Sequence, residues 1–328
     1  MTPVIDAPIA GPLAWTPETT GGKAGLSRDL DAARIRALDA LLVSLRDVPT
    51  LDITRADFTH PALAPLLADL RAEVMDGKGV VVLRGVSPEA FSREERERIF
   101  WGLGQHFGYC AVQSSRGDRI GYVRHEPGDP HARGYRSSGE LVLHTDSRAM
   151  IALTPLQPAE SGGETWLASS ATIHNVILRE RPDLLAPLYR GSRWHSSEVG
   201  LTTGNIPVFS NVAGHLSVMF FEDHIRRGAK TLGEPLPADL DEALTFFASV
   251  ARRDDVCVKF MLEPGEMLFS NNFVVLHART EFRNSAEKQR CLARLWINIE
   301  PGRPTIPELH ERASFYDRRY DPRLIERA

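Results

Sequence analysis

His144-Thr145-Asp146 sets an imidazole and a carboxylate two residues apart, and His277 supplies a second imidazole far downstream. Two imidazoles and one carboxylate grip one face of a metal and leave the opposite positions open, which is the ligand set of non-haem Fe(II) oxygenases. Side chains two apart on a strand share a face, so His144 and Asp146 can reach one ion while a different strand carries His277. Alone, an HxD tripeptide is weak evidence in a chain with 11 histidines. The stretch from Arg290 to Ile299 adds weight. Cys291, Ala293, Leu295, Ile297 and Ile299 alternate there with Arg290, Leu292, Arg294, Trp296 and Asn298. One side is wholly apolar, and the other carries two arginines roughly 13 Å apart at about 3.3 Å per residue. Each guanidinium can fork onto a carboxylate or sulfonate. An exposed face with solvated arginines is the plain alternative, and Leu292 and Trp296 between them oppose it.

Positioning such groups requires a scaffold that brings distant strands together. Residues 1–26 are rich in Pro, Gly and Thr without periodicity and predict an extended N-terminal arm, pinned by Trp15. From Asp31, apolar residues Ile35, Leu38, Leu42 and Leu45 predict a helix, and Leu63, Leu66, Leu67 and Leu70 predict a second. Gly79 to Leu83 reads as a buried strand. Ser92 with Glu95 is a capping box opening a helix through Ile99, Phe100 and Leu103. The glycines near Gly102, Gly104 and Gly108 follow a helix pattern at the wrong spacing for a dinucleotide fingerprint, so a Rossmann domain is discarded. Beyond about residue 110, short strand-like runs separated by Gly, Pro and Asn prevail: 141–143, 150–153, 165–168, 207–209, 216–221, 256–262, 267–270 and 291–299. Helical inserts are expected near 171–178 and from about Asp239. The expected fold is mainly β with helical additions, a double-stranded β-helix or jelly roll, formed by a single domain over 27–328. A polar stretch, about 114–139, is long enough for an active-site lid.

Composition narrows the partners. The 39 basic and 43 acidic residues give a net charge of -4, with no long run of either sign. That excludes a nucleic-acid surface or polybasic membrane patch and points to a small molecule. Cys110, Cys257 and Cys291 are odd in number and far apart, which fits reduced buried thiols rather than a disulfide framework. No apolar run approaches a membrane span and no signal-peptide pattern opens the chain, so a soluble cytoplasmic protein is expected, with a homo-oligomer left open.

Across residues 75–300 the pattern resembles the TauD/TfdA-like Fe(II)/2-oxoglutarate-dependent oxygenases, related to taurine dioxygenase and clavaminate synthase. The family's HxD and distal His are matched by His144, Asp146 and His277, which the resemblance makes both the catalytic centre and the iron ligands. It also implies that Arg290 receives the distal carboxylate of 2-oxoglutarate, assisted by Thr165 after the Gly162-Gly163-Glu164 turn. Arg294 takes the place of an arginine that meets an acidic group of the substrate in some members. Fe(II), 2-oxoglutarate and O2 are then the cofactor and co-substrates, and succinate and CO2 accompany oxidation of an aliphatic C–H, most often to an alcohol. Asp146 as a ligand opposes the halogenase variant, in which a small residue admits chloride.

The prime substrate is expected to be a small anion, an amino acid, an amino-acid-derived compound or a sulfonate, with desaturation as another outcome. Gln113, Ser138, Glu140 and Arg294 are its candidate contacts, with Tyr135, Arg136 and Ser137 in the same stretch, and Arg294 could instead pair with Glu140 or another acid. His125 and His131 are more simply surface histidines, and His174, His195, His215 and His224 have no usable partner spacing. Two other functions compete. A zinc hydrolase would accept the same triad but leaves Arg290, Arg294 and the Gly-Gly-Glu-Thr turn unexplained. A non-catalytic anion-binding jelly roll would make the histidines structural. A serine hydrolase is weaker still, since no G-x-S-x-G elbow is present.

Overall fold

The computed structural model of the protein describes residues 2–114, 116–126, 136–197, 199–299 and 301–321. His131 and Tyr135 fall outside them. Two antiparallel sheets carry the structure. The larger runs Ser27–Asp29, Val80–Arg84, Glu266–Asn271, Met150–Gln157, Cys291–Ile299 and Gly108–Ala111, with Gly121–Arg124 also paired to Cys291–Ile299. Among the described residues its only parallel pairing joins Ser27–Asp29 to Val80–Arg84. The smaller sheet runs Cys257–Phe260, Thr165–Ser169, Val275–Arg279 and Leu141–His144. This is the jelly-roll pairing of strands distant in sequence.

Strand alternation decides which face each residue buries. Leu268, Val82 and Leu292 from the larger sheet meet Leu167, Val258 and Val275 from the smaller one in an inner apolar layer. On the outer face of the larger sheet, Ala293, Leu295 and Phe269 pack against Leu38, Leu70 and Phe100 of the N-terminal helices. Leu276 and Ala168 on the outer face of the smaller sheet pack against Ile173, Leu244 and Phe247. The last three lie on the helices Ser170–Glu180 and Ala238–Ala251. Both faces of Cys291–Ile299 are therefore buried, and Arg294, with Arg290 just before the strand, is buried against a cavity rather than in water.

The first helices form where their apolar spacing and caps dictate. Asp31 caps Ala32–Ser44 by accepting from the Arg34 N–H, and Ser92 and Glu95 form the reciprocal capping box of Arg93–Gly104. Trp15 is buried and its indole N–H donates to the Lys78 carbonyl at 2.8 Å, tying down the N-terminal segment. Elements also occur where the sequence offers weak signals. The polar stretch taken as a lid contains the strand Gly121–Arg124, and the charged segment Glu222–Leu232 is a helix with Ile225 and Gly228 buried. Among the described residues no helix is long and apolar enough to cross a membrane, and all three cysteines are free and buried.

Candidate metal centre and its anion-binding cavity

His144 ends one strand of the smaller sheet and His277 sits in the middle of the neighbouring strand, directly opposite it. Their rings lie 4.4 Å apart. After His144 the chain turns, and Thr145 fixes that turn. Its N–H donates to the Phe220 carbonyl at 2.8 Å, and its hydroxyl accepts from the Phe220 N–H at 3.0 Å. Asp146 is thereby swung back toward the histidines. One ligand atom from each of His144, Asp146 and His277 lies within 4.8 Å of the others. The HxD pair thus converges at the end of a strand rather than along it.

The electrostatics suit a cation. His144 Nδ1 is 2.8 Å from the Val142 carbonyl, so the ring donates there and presents Nε2, which lies 3.9 Å from Asp146 Oδ1. Burial lowers the pKa of both imidazoles, that of His277 to about 3, with His144 adding to the effect. Both are therefore neutral, the form that ligates metal. Burial alone would raise the pKa of Asp146, but Arg294 and the two histidines outweigh it and hold the carboxyl ionised well below its usual range. His277 Nδ1 is buried without a hydrogen-bond partner. Two neutral imidazoles and a locked carboxylate fit a divalent ion of the Fe(II) type.

Around Asp146 the larger sheet supplies two more groups. The Trp296 indole N–H donates to Asp146 Oδ2 at 2.7 Å, and Arg294 Nη1 stands 3.7 Å from the same oxygen. Oδ1 is the oxygen left toward His144. Partners of this kind orient a ligating carboxylate. Trp296→Phe keeps the aromatic packing but loses the N–H, and is expected to weaken Fe(II) binding roughly 10–100-fold, as read by anaerobic metal titration of folded protein. Unchanged affinity would show that Trp296 only packs.

The cavity beside the candidate metal ligands is lined by Thr165, Arg279, Arg290 and Arg294, with Leu141, Ile151 and Leu292 as apolar walls. Arg290 is buried, and burial followed by the nearby Arg279 depresses its pKa to about 9. Its Nη1 has no hydrogen-bond partner. Room for it comes from the Gly162-Gly163 turn. Both glycines have positive φ, and a Cβ on Gly163 would stand 2.8 Å from Arg290 Nε. Thr165 follows that turn and pairs with Arg279 across the sheet. A wider groove of about 410 Å³ is lined by Arg290 together with Arg93 and Arg124, and none of the three candidate metal ligands lines it.

The candidate substrate contacts divide. Arg294 lines the cavity. Gln113 is buried behind it, its Oε1 accepting from Arg294 Nε at 2.8 Å and its Nε2 donating to the Arg294 carbonyl at 2.7 Å. Ser138 accepts through its carbonyl from the Phe282 N–H. Glu140 is exposed and pairs with Arg252 at 2.8 Å, so the acid beside Arg294 is Asp146. His174 is in the helical layer, its Nε2 3.1 Å from the Tyr189 hydroxyl, away from the metal ligands. Arg279 received no role from sequence, although its place two residues after His277 puts it on the same strand face.

Residues 45–296 match the family described as "Taurine catabolism dioxygenase TauD, TfdA family". The chain belongs to that family. Membership makes it an Fe(II)/2-oxoglutarate-dependent oxygenase. FR-33289 synthase of Streptomyces rubellomurinus is 28% identical over 94% of this chain and 96% of its own length. Asparagine oxygenase, solved with Fe(II), 2S,3S-3-hydroxyasparagine and succinate, shares the fold at a TM-score of 0.65. It is 17% identical and covers 83% of this chain and 93% of its own. The non-haem iron oxygenase OrfP, solved with Fe and alpha-ketoglutaric acid, has a TM-score of 0.63 at 13% identity, covering 83% of this chain and 94% of its own.

Proposed function

We propose that the chain hydroxylates an unactivated C–H of a small anionic metabolite, an amino acid or amino-acid-derived compound. The reaction would consume one 2-oxoglutarate and one O2, and release succinate and CO2. The observation that carries this reading is a single cavity in which a His144/Asp146/His277 cluster and a buried, unpartnered Arg290 nitrogen face the same space. His144, Asp146 and His277 would hold the iron, which when bound supplies the oxidising chemistry. Arg290, with Thr165, would hold the distal carboxylate of 2-oxoglutarate and so fix which end of the co-substrate meets the metal. The apolar walls formed by Ile151, Leu153 and Leu292 exclude water around that chain. Arg294, clamped by Gln113, would offer its guanidinium to the substrate's anionic group, while Ser138 stands on the segment that borders Arg279. Glu140, turned to Arg252, would act at most through that segment. Amino acids are favoured because the fold relatives asparagine oxygenase and OrfP were solved with hydroxyasparagine and hydroxy-arginine products.

An anaerobic titration of metal-free protein with Fe(II) and then 2-oxoglutarate tests the cofactor assignment. A weak visible charge-transfer band should appear and be lost in His277→Ala. Succinate release then sorts amino acids from sulfonates, and stimulation only by sulfonates would overturn the amino-acid assignment. Arg294→Ala is expected to raise the KM of the responding substrate roughly 10-fold or more, as for loss of a charged hydrogen bond, with a smaller change for 2-oxoglutarate. An unchanged substrate KM would remove Arg294 from the substrate site.

A further inference from the structure

The end of the cavity assigned to 2-oxoglutarate holds two guanidiniums, and the reading above uses only Arg290. Arg279 is equally buried, each residue being 6% exposed. Its Nη2 donates to the carbonyls of Ser137, at 2.9 Å, and Gly139, and its Nε donates to the Thr280 carbonyl at 3.3 Å. Its Nη1 is buried and has no partner, as is also true of Arg290 Nη1. Both guanidinium carbons lie against one ring, 4.7 Å and 5.0 Å from the centre of Phe282. Among the described residues neither guanidinium has an ion-pair partner.

Two like charges buried on one aromatic ring, each with an unsatisfied donor, are costly unless an anion completes them. A carboxylate has two oxygens and about four lone-pair sites, enough to accept from both arginines and from Thr165. Arg279 pairs with Thr165 across the sheet, so the three donors border one end of the cavity. We propose that Arg279 is a second binding residue for the distal carboxylate of the 2-oxo acid. Through its other nitrogen it also ties that carboxylate to the Ser137–Gly139 backbone. The inference rests on the 2-oxoglutarate reading of this cavity and adds that selectivity for a dicarboxylate is shared between Arg290 and Arg279.

The test is an anaerobic titration of Fe(II)-loaded protein with 2-oxoglutarate and, separately, with 2-oxopentanoate, which has the same carbon count but no distal carboxylate. The charge-transfer band gives each dissociation constant. Arg279→Met should weaken 2-oxoglutarate binding about 10- to 100-fold, the loss of one charged hydrogen bond, and leave 2-oxopentanoate binding unchanged. An unchanged ratio of the two constants, even if both rise, would reduce Arg279 to a structural clamp and overturn the proposal. Should Arg279→Met fail to fold, Arg279→Lys gives the same comparison, in which the 2-oxoglutarate dissociation constant must rise relative to that of 2-oxopentanoate for the proposal to stand. Wild-type protein that gives no band with either acid refutes the co-substrate reading itself, an outcome distinct from an unchanged ratio in the variant.

Discussion

Asp146→Ala is expected to abolish iron binding at micromolar metal and, with it, succinate formation coupled to substrate. The substitution removes the only formal charge among the three candidate ligands. It also leaves the Trp296 N–H without its acceptor and Arg294 without the carboxylate 3.7 Å away. A metal ion would then face two neutral imidazoles and an uncompensated guanidinium, so attraction is replaced by repulsion at short range. Asp146→Asn separates the two effects. It retains an oxygen for Trp296 and lacks the charge, so it too should lose coupled turnover if charge is what binds the ion. Circular dichroism should show folded protein in both variants, because Asp146 lies beyond the strand end and its backbone is held by Asn272 and by the Thr145 turn. Coupled succinate formation at the wild-type rate in either variant would remove Asp146 from the site.

Chemistry that restricts residue type was legible in the sequence. Few residues ligate Fe(II), so His144, Asp146 and His277 stood out before their strands were known. Arg290 and Arg294 were legible for another reason. A strand with a wholly apolar face, and with Leu292 and Trp296 on the same face as its arginines, has no face suited to water, and the structure buries both sides. What escaped depends on partners far away in the chain. Trp296 was placed on the arginine face, but its hydrogen bond to Asp146 needs the larger sheet to close over the smaller one. Arg279 was visible as a neighbour of His277, while the Ser137 and Gly139 carbonyls that hold it lie about 140 residues upstream. Glu140 looked like a site acid from its place before the HxD strand, and Arg252, on the far side of the domain sequence, takes it instead. The strand Gly121–Arg124 lacks a strong β pattern because its partner, Cys291–Ile299, supplies the pairing and burial that its own residues do not signal.

Arg290→Ala is expected to raise the dissociation constant of 2-oxoglutarate by about 10²- to 10³-fold, while iron binding stays near wild type. Removing one partner of a desolvated charge pair costs about 2–5 kcal/mol, and each 1.4 kcal/mol is a factor of 10. The structure argues for the upper part of that range. Arg290 is 6% exposed, its Nη1 has no protein partner, and Gly163 keeps the space beside its Nε clear, so its guanidinium is prepared for a ligand. The protein itself should not suffer, since the substitution removes a buried charge with an unsatisfied donor, and thermal stability should hold or rise. Iron binding should persist because Arg290 does not contact the three ligands. Arg290 stays charged at neutral pH even with its pKa lowered to about 9, and a bound carboxylate would raise that value again. Wild-type affinity should therefore be flat across neutral pH, because the guanidinium keeps its charge. A variant that binds 2-oxoglutarate with wild-type affinity, or one that loses iron and co-substrate together, would take the distal carboxylate away from this arginine.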